Sequence, residues 1–394
     1  MPTDTMNRLL ELLKKGGRCT TVYLDLSEDR ENPEGLLDSR RRSIRDEASK
    51  QGATEAACDV IDAALSTPSR MPSPRSRFLV VCDDTLEIDE TLPGTPKGTE
   101  FVHVGPIPVL LPVLEHRLEE FTYLVIQVAR DGGDIEARTT GSFGVQLSES
   151  HQGRTDTLHK TKGGGWSHLR YQHHVERIWK QTQAELAVEV DRIVLDLKPR
   201  LIVVSGDVYA RQYLLESLAD RSRGLVVEYP RETRAEGSED SPFEEFIEEQ
   251  VAAVFAKDEA DALDRLRAAL GRPEGFAEQG VAMAVFTLMQ AQVDTLFVDP
   301  EGLGDRELLI LDAAPWVATA PEEAEATDAG IIGRGPAAEA LVRAALLTDA
   351  TVRFAPSTKL QGAEVAMLLR WPARTVQTQE AASNAPAGRG ARPA

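Results

Sequence analysis

The chain has 394 residues, 42% of them hydrophobic and 27% charged, with a formal net charge of −20. This length exceeds one ordinary core and suits two or three domains, and the composition excludes wholesale disorder. The acidity excludes a general nucleic-acid binder, because phosphate contact is driven by Lys and Arg, so only a local basic surface could serve.

No apolar run approaches the roughly 18 residues that a membrane-spanning helix needs, and residues 1–15 lack the apolar core of a secretory signal. A cytoplasmic protein with no membrane partner is expected. Cys19, Cys58 and Cys82 are too few and too scattered for a disulfide framework or a paired-cysteine metal knuckle, which fits a reducing compartment.

Within a first segment, residues 1–118, short apolar runs at 21–26, 78–82, 101–104 and 109–113 read as strands. A charged stretch at 39–50 and apolar residues at helical spacing over 53–65 make this a mixed α/β domain. Arg40, Arg41, Arg42 and Arg45 form a basic cluster that could touch RNA or simply solvate a helix face.

A second unit, residues 119–256, opens with a strand at 121–128, a turn at Asp131-Gly132-Gly133 and a returning strand at 134–139. Apolar residues at Val175, Trp179, Leu186, Val190, Ile193 and Leu197 predict one long amphipathic helix over 167–197, stopped by Lys198-Pro199. A strand at 201–205, a helix at 210–218 and a strand at 225–228 then imply parallel pairing. Ser205-Gly206-Asp207 follows a buried strand, where α/β proteins hold ligands; a turn with a helix cap at Asp207 explains it equally.

An acidic stretch at 236–261 marks the passage to a third unit, residues 257–371. Helical runs at 281–290 and 337–347 alternate there with strand-like runs at 295–298, 308–311 and 352–354, a compact α/β pattern. The glycines at 333 and 335 with Ala338 imitate a dinucleotide fingerprint, but an acidic, alanine-rich stretch precedes them rather than a clear strand. Pro336 suits the first position of a helix, so a helix start is expected and no cofactor. Residues 372–394, rich in small residues and proline, are expected to be disordered.

The most informative stretch is a glycine loop at 159–171 before the long helix. Three consecutive glycines, Gly163, Gly164 and Gly165, cost backbone entropy and suit a sharp turn or a close approach. From 151 to 180 the chain carries six Lys/Arg against two Asp/Glu, and five of its seven histidines. Lys160, Lys162, Arg170, Arg177, His173 and His174 suit phosphate contact, with Trp166, Ser167, His168 and Tyr171 between them. A metal cluster of His159, His168, His173, His174 and Glu176 is the weaker alternative, since no HExxH or paired-cysteine spacing accompanies it, and no metal is expected.

The run Gly164-Gly165-Trp166-Ser167-His168-Leu169-Arg170-Tyr171 resembles the loop and following helix of archaeal and eukaryotic class I release factors, where the pattern reads GGQS, two variable or apolar positions, then Arg-Phe. Gly164, Gly165, Ser167, Leu169 and Arg170 match, Tyr171 conservatively; Trp166 stands at the glutamine position. The order of elements around it is similar to that family's central domain. The resemblance implies three mixed α/β domains in a release-factor/Pelota-like arrangement, with the glycine loop reaching the peptidyl-transferase centre. An indole offers one N–H and no acceptor, so Trp166 cannot direct water as an amide does, though it can stack on a base. The stop-codon-reading motifs of the N-terminal domain are missing. The bacterial branch of this superfamily, which includes ribosome hibernation factors, is the part the chain most resembles.

That resemblance implies a non-enzymatic monomer in the vacant A site of the 70S ribosome, touching 23S and 16S rRNA, with elongation factor Tu as a possible partner. Two alternatives stand beside it. One is a peptidyl-tRNA hydrolase in ribosome rescue, with Ser167 or His168 replacing the glutamine; the other is an α/β binding protein unrelated to ribosomes.

Overall fold

The computed structural model describes residues 10–27, 33–67, 71–96, 98–117, 120–141, 145–152, 166–230 and 241–372. The expected disorder of the tail falls outside them from residue 373 onward. Among the described residues the architecture is mixed α/β with four sheets.

The first sheet runs β3-β2-β1-β4 and is antiparallel throughout. Its strands are β1 (Cys19–Asp25), β2 (Arg75–Cys82), β3 (Thr85–Pro93) and β4 (Phe101–Gly105). Helices α1 (Pro33–Lys50) and α2 (Glu55–Ser66) connect β1 to β2. Thr54 caps α2, its hydroxyl accepting from Ala57 N at 3.0 Å. Strand β3 was not legible by its apolar content, for it is mostly half-exposed; Asp83 and Asp84, both at positive φ, form the tight turn before it.

Two expectations are corrected in this region. Residues 109–113 do not form a strand: Leu111–Arg117 is a short helix, α3. Its first amides are satisfied by Glu339, more than two hundred positions away, which no local pattern announces. Cys19 and Cys82 are not separate thiols. They stand directly opposite in the β1/β2 register with Cα atoms 4.1 Å apart and form a disulfide, leaving Cys58 free and buried.

The central sheet has the order β7-β6-β5-β8-β9. Strands β5 (Thr122–Ala129), β6 (Gly132–Thr139) and β7 (Val145–Gln152) are antiparallel neighbours, while β8 (Leu201–Gly206) pairs in parallel with β5, and β9 (Val226–Glu228) in parallel with β8. The hairpin turn is Arg130-Asp131, so Gly132 and Gly133 already belong to β6. Gly132 is required by crowding: a Cβ there would lie 2.0 Å from the His151 carbonyl oxygen of β7. The sequence pattern gave no sign of β7, because its outward residues are polar.

Helix α4 (Trp166–Leu197) starts one residue before the expected 167 and ends at the expected stop. Its Leu186, Val190, Ile193 and Val194 bury against Leu124, Ile126 and Val204 of the sheet, each fully buried aliphatic contributing about 1.5–3 kcal/mol. Helices α5 (Val208–Ser217) and α6 (Asp220–Arg223) follow β8.

The opposite face of the sheet is covered by α7 (Ser241–Leu270), one uninterrupted 30-residue helix. Its first half packs Phe243 and Ile247 on Phe121, Val125 and Val203; its second half packs Ala262, Leu263 and Leu266 on Phe297 and Ala366. The boundary expected after residue 256 therefore falls inside a helix shared by two cores.

The remaining chain forms β10 (Ala277–Gln279), α8 (Val281–Met289), β11 (Val293–Val298), α9 (Pro300–Leu303), β12 (Glu307–Leu311), β13 (Val317–Ala318), α10 (Pro321–Glu325), β14 (Ile331–Pro336), α11 (Ala337–Leu347), β15 (Thr351–Phe354) and β16 (Val365–Leu369). One sheet has the order β10-β16-β11-β15 and a smaller one β13-β12-β14. A strand does precede α11, contrary to expectation. Gly333 and Gly335 lie within that strand rather than in a strand-to-helix turn, and Pro336 is the helix cap, not its first residue.

The largest core is shared between the first sheet and the last α/β unit: Tyr23, Phe78 and Leu114 belong to one cluster with Leu288, Leu341 and Met367. Two polar side chains of α11 cross that junction. Glu339, 3% exposed, accepts from Leu110 N at 2.9 Å and Leu111 N at 3.1 Å. Arg343, 1% exposed, donates to the carbonyl oxygens of Leu13, Leu311 and Trp316. Among the described residues no helix is long and apolar enough to cross a membrane.

Candidate functional site

Helix α4 runs antiparallel to β8, because the three residues 198–200 link its end to that strand's start. Its 32 residues span about 48 Å at 1.5 Å each, against about 20 Å for the six residues of β8. The helix therefore overshoots the carboxyl-terminal edge of the parallel strands. Trp166, Ser167, His168, Arg170, Tyr171, His173 and His174 are carried on the helical backbone of its first turns. Lys160, Lys162, Gly163, Gly164 and Gly165, with the rest of the expected loop before residue 166, lie outside the described residues. Arg177 is exposed.

Where α4 meets the sheet edge, the Gly206-Asp207 turn that the sequence singled out converges with groups that it did not, Arg130, Tyr209 and Gln183 among them. Gly206 ends β8 at φ 114°, and a Cβ there would lie 1.9 Å from the Val128 carbonyl oxygen. Only glycine fits that approach. Asp207 then caps α5, its Oδ1 accepting from Tyr209 N at 2.9 Å and Ala210 N at 3.1 Å, as the turn-and-cap alternative expected. Its Oδ2 accepts from Arg130 Nε at 2.9 Å. Partial burial pushes the Asp207 carboxyl up, but the hydrogen bonds from Ala210, Arg130 and Tyr209 outweigh it and hold the group below its ordinary range.

Arg130 is fixed on its other sides by aromatic rings. Its guanidinium lies 4.8 Å from the centroid of Trp179 and 5.9 Å from that of Tyr209. Lys180 sits over Tyr213 at 5.7 Å and pairs with Glu216 at 3.4 Å, while Tyr213 Oη donates to Glu176 at 2.9 Å. That carboxylate raises the Tyr213 pKa. Buried Gln183 donates from Nε2 to Ala129 O at 2.8 Å, tying α4 to the β5–β6 turn. The arrangement offers a planar cation, an ammonium, aromatic rings and hydrogen-bond donors. Among the described residues no group of three or more His, Cys, Asp or Glu is placed to hold a metal.

The second basic cluster sits on α1 and is largely paired internally. Arg41 grips Asp62 with both Nε and Nη2 at 2.7 Å, Arg45 pairs with Asp59 at 2.7 Å, and Arg40 pairs with Glu100 at 3.2 Å. Arg42 donates to the Asp38 carbonyl oxygen at 3.2 Å. The hydrogen bond from Arg41 holds the Asp62 carboxyl below its ordinary range. Much of the positive charge seen in the sequence is thus compensated across α1 and α2.

Comparison with known proteins follows the same geography. The model of Bacterial archaeo-eukaryotic release factor family 2 matches residues 122–272. Uncharacterized proteins from two strains of Mycobacterium tuberculosis, CDC 1551 and H37Rv, are each 25% identical over 302 residues, covering 75% of this chain and 78% of the relative. Among solved structures, the archaeal translation termination factor aRF1 is similar over 94% of this chain and 99% of its own, at 16% identity and a TM-score of 0.25. Archaeoglobus fulgidus Pelota is similar over 94% and 92%, at 13% identity and a TM-score of 0.36. The stretch that resembles Bacterial archaeo-eukaryotic release factor family 2, residues 122–272, holds the long helix and the sheet beneath it.

Proposed function

We propose that the protein binds the ribosome as a release factor does, occupying the vacant A site without hydrolysing peptidyl-tRNA, and so acts as a hibernation factor. The observation that carries this is Trp166. It stands where the release-factor pattern has glutamine, directly after three glycines and at the first position of α4, inside the segment matched by the family model. The family match supports a role in translation, and the overshoot of α4 supplies reach. The missing amide supports binding without chemistry, since one indole N–H cannot both accept from and donate to an attacking water.

Cosedimentation tests the proposal. The full chain should travel with 70S ribosomes at low salt, and replacing Gly164 and Gly165 together by valine should weaken this about tenfold or more. Added salt should weaken it further, as basic contacts to rRNA are screened. In parallel, complexes carrying labelled peptidyl-tRNA should retain their peptide. Migration free of ribosomes at low salt contradicts the binding; release of peptide at the rate of a termination factor contradicts the absence of chemistry.

A further inference from the structure

We propose that Arg130, Trp179 and Tyr209 form a stacking platform for an unpaired base of single-stranded RNA, at the end of the central sheet beyond which α4 projects. The choice of RNA as ligand rests on the ribosome-binding reading above.

The three residues come from three elements: the β5–β6 turn, helix α4 and the start of α5. Their geometry is built rather than incidental. Asp207 holds the Arg130 Nε at 2.9 Å while its own second oxygen is committed to the α5 amides, so the guanidinium plane is fixed from one side. Trp179 and Tyr209 flank it from others. The Arg130 side chain is nonetheless 49% exposed, and Tyr209 is 57% exposed. The tyrosine ring meets the cation while more than half of the residue's surface stays open to solvent. Beside it, Val208 is 59% exposed and adds apolar surface.

An open ring next to a planar cation accepts any nucleobase, because every base presents a π face and stacking is tolerant of sequence. The charges here are paired: Arg130 with Asp207, and Lys180 with Glu216. Phosphate neutralisation therefore contributes little at this place, and binding to it should depend on stacking. That sets it apart from Lys160, Lys162, Arg170 and Arg177, whose contribution to RNA binding should fall with salt. The position also suits the ribosome reading. Whatever receives the first turns of α4 brings its surroundings against this edge of the sheet.

The test uses the full chain and an unstructured ten-nucleotide RNA, titrated at about 50 and about 200 mM salt. Tyr209→Phe keeps the ring and should bind as the wild type does. Tyr209→Ala should lose about tenfold at both salt concentrations, the effect of one stacked base; Arg177→Glu should instead lose more at low salt than at high salt. Tyr209 is exposed, and matching melting curves of the two Tyr209 variants confirm that neither is unfolded. The proposal is overturned if the wild type does not bind the RNA, if Tyr209→Ala binds equally, or if its loss disappears at high salt. A protein ligand for this patch would give the first of these results. Ribosome pelleting separates the two ideas: Tyr209-dependent RNA binding without cosedimentation upholds the platform and refutes the A-site function, and cosedimentation with no effect of Tyr209 on RNA binding does the reverse.

Discussion

Glu339 is the residue whose surroundings differ most from what its sequence position suggests. It sits in the apolar helix 337–347, and burial pushes its carboxyl from 4.5 up to about 7, partly offset by the Leu110 and Leu111 amides; nearby Glu115 adds to the rise. A folded-state pKa above the unfolded value means that protonation favours the folded chain. The stabilisation is complete below pH 4.5 and is lost as pH rises through about 7. At about 1.4 kcal/mol per unit, the junction between the first sheet and α11 should lose about 3 kcal/mol between pH 4.5 and pH 8. Urea denaturation across that range should show the loss in the wild type and a flatter profile in Glu339→Gln. Parallel profiles for the two proteins would contradict the assignment. Neither Glu339 nor Arg343 stood out in the sequence, for their partners, Leu110 and Leu13, lie too far along the chain for any spacing rule to connect them.

At the scale of elements, local periodicity was enough for several helices and several of the buried strands, though the buried β16 went unread. Residues 167–197, 281–290 and 337–347 read as helices because their apolar positions recur at helical spacing, and each is a helix. Strands β3 and β7 went unseen because one-sided burial leaves them mostly polar, and α3 was misread because Val109, Leu110, Leu111 and Val113 give an apolar run too short to show a period. The disulfide between Cys19 and Cys82 follows from β1/β2 register, which depends on that sheet being assembled. Helix α5 offers a direct test of the site's construction. Asp207→Ala removes the cap and should destabilise the protein by about 1 kcal/mol, whereas Asp207→Asn keeps the capping oxygen and should cost a few tenths. Equal denaturation midpoints for wild type and Asp207→Ala would show that the cap contributes nothing.

At the scale of the whole molecule, a chain of net charge −20 confines any RNA contact to particular places. The glycine run and the basic residues of 151–180 were legible because they are contiguous. The Arg130 platform was not, since it exists only when a hairpin turn, the long helix and a helix cap meet at one sheet edge. The arginines of α1 looked like a second RNA surface in one dimension, and the carboxylates that pair with Arg41 and Arg45 come from the neighbouring helix. The central claim is that α4 delivers its first turns into an idle ribosome and performs no chemistry there. A cryo-electron map of 70S ribosomes saturated with the full chain tests this most directly. The account predicts density in the A site, with residue 166 at the peptidyl-transferase centre and the first sheet toward the decoding centre; an empty A site, or the protein bound elsewhere on the particle, would contradict it.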